Sequence, residues 1–323
     1  MVLKCLLKTT KNLVYKMIPY YIPPKIVNSD SLDKMFKDIK DTRSYTKGKY
    51  SIELEKKFTE TYNINYAISC GSGTQGLWLI LNTLKPKTIL VPSFEWKSIV
   101  PLLNNCNVFW GDIDKDTWLL QETKNSYDAI LFNQTFGNVG YIQQDFKGHR
   151  IYDLAQSFGA KLSLSKSDVG VFSLSGTKNI TSGEGGMIVT DSKELYQKLV
   201  EQRNLLSRLS ELQAILGIHY LDSYKQVSKR KTQIYNYYKS CLPFKFQKIL
   251  YSHSYSVIGC CTKERNKIIS YLKDRVEFKV YYEPISPLPN TQKIYSEIIC
   301  LPCYSDVNEF DVVTNVLEAM KLG

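Results

Sequence analysis

Short apolar strands alternate with helix-patterned segments along most of this chain, and that alternation constrains its fold more than any other feature. Residues 66–69 read as a strand that runs into Cys70-Gly-Ser-Gly-Thr74, and residues 75–84 continue with helical spacing. Further strands are predicted at 88–92, 107–110, 129–132 and 150–152, with helices at 29–39, 51–62 and 97–104. Such alternation predicts an α/β domain around a mostly parallel sheet. A strand near Met187 follows a short glycine-rich link, which predicts an antiparallel partner there. Helices are expected at 191–206, with Asp191 or Ser192 as N-cap, and from 209 through Lys231 towards Tyr238. Beyond lies a smaller α+β unit, with a strand at 253–261, a helix at 263–272 and a strand at 278–282. A proline-rich loop at 284–289 and a last helix at 309–320 complete it. The expected division is an extension over 1–17, a large domain over 18–230 and a small C-terminal domain over 231–323.

Two segments carry chemistry. The first is Ser173-Leu-Ser175-Gly-Thr177-Lys178-Asn179, followed by Gly183-Glu-Gly-Gly186. A lysine among small hydroxyl residues can form a Schiff base with a carbonyl, while the hydroxyls hold a phosphate. The second is Ile151-Tyr-Asp153-Leu-Ala-Gln156, an apolar strand ending in a carboxylate. Pyridoxal phosphate needs both parts, a lysine for its aldehyde and an acid for its ring nitrogen. Gly71-Ser-Gly-Thr74 adds a glycine turn before a helix, where backbone amides can face an anion. Taken singly, each has an ordinary structural reading: the glycines a tight turn, Asp153 a strand-end cap, Trp96 a core residue.

Composition narrows the alternatives. The 323 residues carry a formal net charge of +11, mostly lysine spread along the chain, which fits a solvated surface better than a nucleic-acid face. A basic field also favours arrival of an anionic small substrate. The eight cysteines show no paired zinc spacing, and the three histidines do not cluster, so no metal is expected. Cys300-Leu-Pro-Cys303 has redox-motif spacing without a second pair and reads as a short strand with buried thiols. No apolar run is long enough to span a bilayer, and no secretory signal is evident, so a cytoplasmic setting without membrane partners is expected. Residues 1–16 fit a short amphipathic helix, a frayed extension or a targeting segment, with Met17 a natural alternative start.

Taken in order, the motifs resemble the DegT/StrS family of pyridoxal-phosphate-dependent sugar aminotransferases, from Ile18 to the C-terminus. The matching segments are Tyr45-Thr-Lys-Gly48, Ser72-Gly-Thr74, Pro92-Ser-Phe-Glu-Trp96, Gly111-Asp-Ile-Asp114 and Asp153-Leu-Ala-Gln156. They continue with Phe172-Ser173, Thr177-Lys178-Asn179, Gly183-Glu-Gly-Gly186, Arg208-Leu-Ser-Glu-Leu-Gln213 and Leu301-Pro-Cys-Tyr304. The resemblance implies fold type I of the pyridoxal-phosphate-dependent transferases, related to aspartate aminotransferase. It implies that Lys178 carries the cofactor and moves the proton, and that Asp153 pairs with the ring nitrogen. Gln156 would bond the phenolic oxygen or a neighbouring group, and Trp96 would stack on the ring. Gly73, Thr74 and Ser173 would bind the phosphate. The implied enzyme is a homodimer that moves an amino group, with glutamate as donor, to a nucleotide-linked keto-deoxy sugar through pyridoxamine phosphate. A sugar dehydratase, a cyclitol aminotransferase and a catalytically degenerate binding protein are the alternatives; the dehydratase branch that replaces the lysine with histidine is disfavoured by Lys178.

Two departures from the family pattern stand out. The insertion that usually separates the Arg203-Asn204 region from Arg208-Leu-Ser-Glu is almost absent, and Leu206 stands where the family has an asparagine for the partner's phosphate. Arg208 then remains for an anion or a surface ion pair. The small-domain His-Tyr-Pro loop reads Tyr281-Tyr-Glu-Pro284, so Tyr281 replaces its histidine.

Overall fold

A computed structural model describes residues 17–26, 29–121, 126–140 and 146–321. Residues 1–16, on which the sequence left three readings open, lie outside the described residues.

Helices α1 (Ser29–Thr42) and α2 (Lys49–Tyr62) lead into β1 (Tyr66–Cys70), α3 (Gly73–Leu84) and β2 (Thr88–Pro92). Then come β3 (Asn107–Gly111), β4 (Ala129–Asn133), β5 (Asn138–Val139), β6 (His149–Asp153), β7 (Asp168–Ser173) and β8 (Gly186–Thr190). Seven of these strands form one sheet in the order β1-β8-β7-β6-β4-β2-β3. β7, β6, β4, β2 and β3 run parallel, whereas β8 lies antiparallel to both β7 and β1, as the short glycine link predicts. The central strands are continuous apolar runs because helices cover both faces. Ile151, Val169, Ile188, Leu131 and Ile89 are all buried in one cluster with Leu77, Ile80 and Leu199. The opposite face packs Phe58, Phe158, Phe172, Leu174 and Met187. In this arrangement β2, β4, β6 and β7 end at the same edge, the edge at which open α/β sheets bind ligands.

Helix α4 (Lys193–Leu206) starts at Ser192, whose hydroxyl accepts from Leu195 N at 3.2 Å. Four residues later α5 (Glu211–Cys241) opens with a capping box between Ser210 and Gln213. Its 31 residues pack first against the sheet, through Ala214, Ile215 and Ile218, and then against the C-terminal core, through Ile234, Tyr235 and Tyr238. The rest comprises β9 (Lys245–Phe246), β10 (Ser252–His253), β11 (Ile258–Cys261), α6 (Arg265–Leu272), α7 (Pro289–Glu297), β12 (Ile298–Leu301) and α8 (Glu309–Lys321). β12, β11 and β9 form a small antiparallel sheet, and Cys300 is buried in its edge strand β12.

The structure departs from the sequence reading in four places, each with a local cause. Residues 97–103 form a 3₁₀ helix rather than an α-helix, because Pro101 inside the segment supplies no N–H. The strand expected over 253–261 is two pieces, β10 and β11, broken at Tyr255 with φ of 52°. Residues 278–282 make a single bridge, Lys279 to Cys300, and then leave the sheet. Helix α7 emerges from the proline-rich loop, with Pro289 in its first turn where a missing N–H costs nothing.

Two motif acids prove to cap helices distant in the sequence. Asp112 accepts the backbone N–H groups of Asn290 and Thr291 at 2.9 and 3.0 Å, holding α7 against the sheet. Gly48, at the start of α2, provides no side-chain cap. Instead Glu211 accepts from the backbone nitrogens of Gly48, Tyr50 and Ser51 at 3.0, 2.8 and 3.2 Å. A Cβ at Gly48 would lie 2.6 Å from both a Glu211 oxygen and Ser44 Oγ, so a larger residue there has to displace the capping carboxylate. Replacing the acid strands buried donors at a helix N-terminus, where negative charge is most favourable. Glu211→Ala is expected to cost about 2–4 kcal/mol, read as a lowered urea midpoint with an unchanged slope. A midpoint within error of the parent would remove Glu211 as the cap that holds α2.

Candidate active site

The converging strand ends open into a cavity of about 460 Å³, within the usual range for small-molecule sites. Asp153 ends β6, Asn133 ends β4 in register with it, and Ser173 ends β7. Lys178 follows on the loop after β7, and all four residues line the cavity.

Lys178 is half-buried. Burial pushes its amine below the ordinary lysine value, opposed by the carboxylates of Asp153, Glu95 and Glu184. A lowered pKa supplies more free amine, the form that attacks a carbonyl. The loop is held by its neighbours. Asn179 Nδ2 donates to Phe158 O, Tyr224 Oη and Ser254 O at 3.0–3.2 Å, and its Oδ1 accepts from the buried Lys231 amine at 2.7 Å. The Lys178 carbonyl accepts from Tyr21 Oη at 3.3 Å.

Asp153 is buried, and its Oδ1 accepts from Ala155 N at 2.8 Å. Burial raises its pKa, while the Ala155 bond and the nearby Lys178 charge oppose that rise. Such a carboxylate is best stabilised by a cation brought into the cavity. Gln156 Oε1 accepts from Phe136 N at 2.8 Å, which fixes the amide so that its NH₂ is the group left for a ligand acceptor.

An anion cradle lies at the N-terminus of α3. Ser72 caps the helix by accepting from Gln75 N at 3.1 Å. Gly73 brings the turn against β7 so closely that a Cβ there would sit 3.0 Å from Ser173 Cβ. Thr74 and Ser98 hydroxyls lie 3.3 Å apart, and Ser173 Oγ lies 3.4 Å from Ser175 N. Ser72, Gly73, Thr74, Ser98, Ser173 and Ser175 line the cavity. Helix dipole, free amides and hydroxyls together suit a phosphate. Trp96 is 55% exposed, with its ring edge-on to Tyr281 and Tyr282, both at 6.1 Å. Its accessible indole offers a flat face for an aromatic ring.

Of the residues singled out from sequence, Gly73, Thr74, Trp96, Asp153, Gln156, Ser173, Lys178 and Tyr281 line this one cavity. Arg208 does not; it is exposed, and its Nε donates to Asn204 O at 2.6 Å. Several lining residues escaped the sequence reading. Ser98 sits two residues beyond Trp96 and was recoverable from that motif. Tyr20 and Tyr21 are brought in by the N-terminal segment, where Ile18 bridges Val276 and Tyr20 N donates to Glu277 Oε2 at 3.0 Å. Glu95 stands inside the Pro92-Ser-Phe-Glu-Trp96 motif, where the sequence reading assigned it no role of its own. Among the described residues no acid, histidine or cysteine group is arranged to hold a metal.

The cavity therefore fits pyridoxal phosphate. It brings together an amine on Lys178, a buried carboxyl on Asp153, the amide NH₂ of Gln156, the accessible indole of Trp96 and the anion cradle at the α3 turn, the set of groups that this cofactor requires. Comparison with known proteins agrees. A GDP-perosamine synthase of Escherichia coli O157:H7 is 26% identical over 326 residues, covering 87% of this chain and 88% of that protein. The crystal structure of DesI with its TDP-sugar product superposes with a TM-score of 0.81 at 19% identity, covering 93% of this chain and 91% of DesI. An E. coli GDP-4-keto-6-deoxy-D-mannose-3-dehydratase with bound hydrated pyridoxal phosphate gives a TM-score of 0.79 at 18% identity, covering 94% of this chain and all of that one. The family model described as the DegT/DnrJ/EryC1/StrS aminotransferase family matches residues 28–321. The chain thus belongs to the DegT/DnrJ/EryC1/StrS aminotransferase family, and pyridoxal phosphate is its cofactor.

Proposed function

We propose that this enzyme transfers an amino group, with glutamate as donor, to a nucleotide-linked keto-deoxy sugar. The observation that carries the reading is the convergence of Lys178 and Asp153 on one cavity whose floor ends in the α3 anion cradle. Bound pyridoxal phosphate supplies an electron sink that makes the substrate C–H and C–N bonds labile. The protein's own groups do the rest. Asp153 holds the ring nitrogen protonated, and the α3 turn with Ser173 anchors the phosphate. Lys178, whose amine is pushed below the ordinary lysine range by burial, holds and returns the proton at the reacting carbon.

The names of relatives support a nucleotide-sugar substrate, the GDP-perosamine synthase and the TDP-sugar-bound DesI among them. On this chain an aromatic wall of Tyr20, Trp96, Tyr281 and Tyr282 with Lys279 at the mouth suits a sugar carrying an anionic nucleotide. An amine at position 178 supports amino transfer over dehydration.

A homodimer is part of the proposal. Ile52, Leu205, Leu206 and Leu212 are 63%, 82%, 55% and 41% exposed. They lie on α2, the end of α4 and the start of α5, which meet where Thr46 bridges Ser210. Arg208, in the same stretch, is free of the cavity of its own chain and is the group we assign to the partner's site. The short link between α4 and α5 leaves most phosphate contacts within one subunit, so dimerisation should depend little on cofactor. A cytoplasmic location is supported by the described cysteines, all free. No helix among the described residues is long and apolar enough to cross a membrane.

Lys178→Ala should fold, lose the long-wavelength absorbance of lysine-bound cofactor, and lose amino transfer; turnover with glutamate retained in this variant would end the assignment. Asp153→Asn should still take up cofactor but run about 10²–10³-fold slower, the size of one lost preorganised electrostatic contact. Wild-type rates at saturating cofactor would exclude Asp153 as the ring-nitrogen partner. A coupled assay with glutamate and several nucleotide-linked keto sugars tests the substrate class, and absence of turnover on all of them would refute it. Sedimentation with and without pyridoxal phosphate should give a dimer in both cases; a fully active monomer would refute the shared site.

A further inference from the structure

Glu95 differs from the other acids of the cavity in its burial, being 2% exposed. Its Oε1 accepts the Trp96 backbone N–H at 2.6 Å, while Oε2 is buried with no hydrogen-bond partner. A bare carboxylate oxygen is costly in such surroundings, but a carboxylic acid O–H beside an acceptor is not. The acid whose charge acts on Glu95 is Asp153. Glu95 follows β2, Asp153 ends β6, and β4 lies between them. Asn133, at the end of β4, is in register with Asp153, and its Nδ2 donates to Phe94 O at 3.2 Å. The backbone just before Glu95 is thereby pinned to the strand that flanks Asp153, and both carboxyls line the same cavity.

The burial of the pair and the charges around it decide which acid keeps a proton. Lys178 is the cation that faces both, from the loop after β7. The Tyr282 phenol faces both from the C-terminal unit, and Glu184 acts on Lys178 from the far side. Burial pushes the Glu95 carboxyl well above the ordinary glutamate range, and the Asp153 charge pushes it the same way. Each acid accepts one backbone N–H, Glu95 from Trp96 and Asp153 from Ala155, so the deeper burial of Glu95, 2% exposed against 9%, decides which keeps the proton.

We propose that Glu95 is a positioning residue that carries a proton beside ionised Asp153 and, as hydrogen-bond donor, holds that carboxylate towards the ring nitrogen of the cofactor. This rests on the reading of Asp153 as the ring-nitrogen partner.

The consequence is a pH signature in the chain itself. Between the unfolded glutamate pKa and the raised value of Glu95, the unfolded chain has released the proton and the folded chain keeps it. The folded state therefore loses stability as pH rises through that window. Glu95→Gln cannot titrate but still presents an N–H donor to Asp153. The test measures melting temperature without cofactor, and pyridoxal phosphate affinity by fluorescence titration, from about pH 5 to about pH 8. It uses the full-length parent, Glu95→Gln and Glu95→Leu. The melting temperature of Glu95→Gln relative to the parent should climb steadily with pH. Its cofactor affinity should stay within about threefold of the parent at the acid end, with a flatter pH profile. Glu95→Leu should bind about tenfold more weakly, because Asp153 loses its donor. Parallel pH profiles for the parent and Glu95→Gln in both measurements would overturn the proposal, as would Glu95→Leu binding as tightly as Glu95→Gln. If these arms fail while the parent still binds cofactor saturably, only the role of Glu95 falls. A parent that binds no pyridoxal phosphate would remove the cofactor site together with it.

Discussion

The site depends first on how Asn179 is held. A lysine that must act as a free amine cannot be anchored through that amine, so its loop has to be fixed by something else. Asn179 does this with one amide, which reaches the Phe158 carbonyl, Tyr224 and Lys231 on α5, and the Ser254 carbonyl near the C-terminal unit. Lys231 is 2% exposed, and burial pushes its pKa down; the Asn179 oxygen is its hydrogen-bond partner. A buried network of this kind is stable only when its members are satisfied together. The same few bonds therefore join the large sheet, the long helix and the C-terminal unit at the residue next to the reactive amine.

Around that knot the sheet performs a charge-sorting task. Its strands are too apolar to hold ionisable groups along their length, so these collect where the parallel strands end. Asp153 and Lys178 meet there, with Glu95 arriving from the end of β2. The α3 turn stands on the same edge, so the positive end of a helix faces into the same cavity. The antiparallel β8 matters because it returns the chain directly after the lysine loop and keeps that loop short. Its first residue, Gly186, pairs with both Ser173 and Cys70, bringing the lysine strand and the phosphate turn within one strand of each other.

Much of this was legible in the sequence, and what was not has a common physical cause. The buried strands announce themselves as apolar runs, and the antiparallel return follows from a link too short for a crossover. Lys178 and Asp153 could be singled out because few residue types can do their chemistry. The family motifs around them, in order along the chain, carried the cofactor. Acids whose work is structural left no such mark: nothing local says that Glu211 caps a helix some 160 residues earlier in the chain or that Asp112 caps α7. Tyr20 meets Glu277 across a separation of 257 residues, which no local pattern encodes. Glu95 looks like a surface residue by type and becomes unusual only when its burial is known. The mistaken strand and helix assignments were likewise local patterns, at 97–104, 253–261 and 278–282, that a proline, a left-handed residue or a tertiary contact outweighed.

The contact between Gly48 and Glu211 carries a consequence for how such chains can diverge. Glycine at 48 leaves room for the acid that reaches it, and the acid at 211 is useful only while the bare backbone amides at 48, 50 and 51 remain within reach. Neither position can drift alone without a penalty, whereas a chain that caps α2 with its own side chain at 48 releases both at once. Substitutions at these two sites should consequently show sign epistasis, each deleterious on the present background and tolerated on the other's. Across descendants the pair would be inherited as one trait, although the residues stand 163 positions apart.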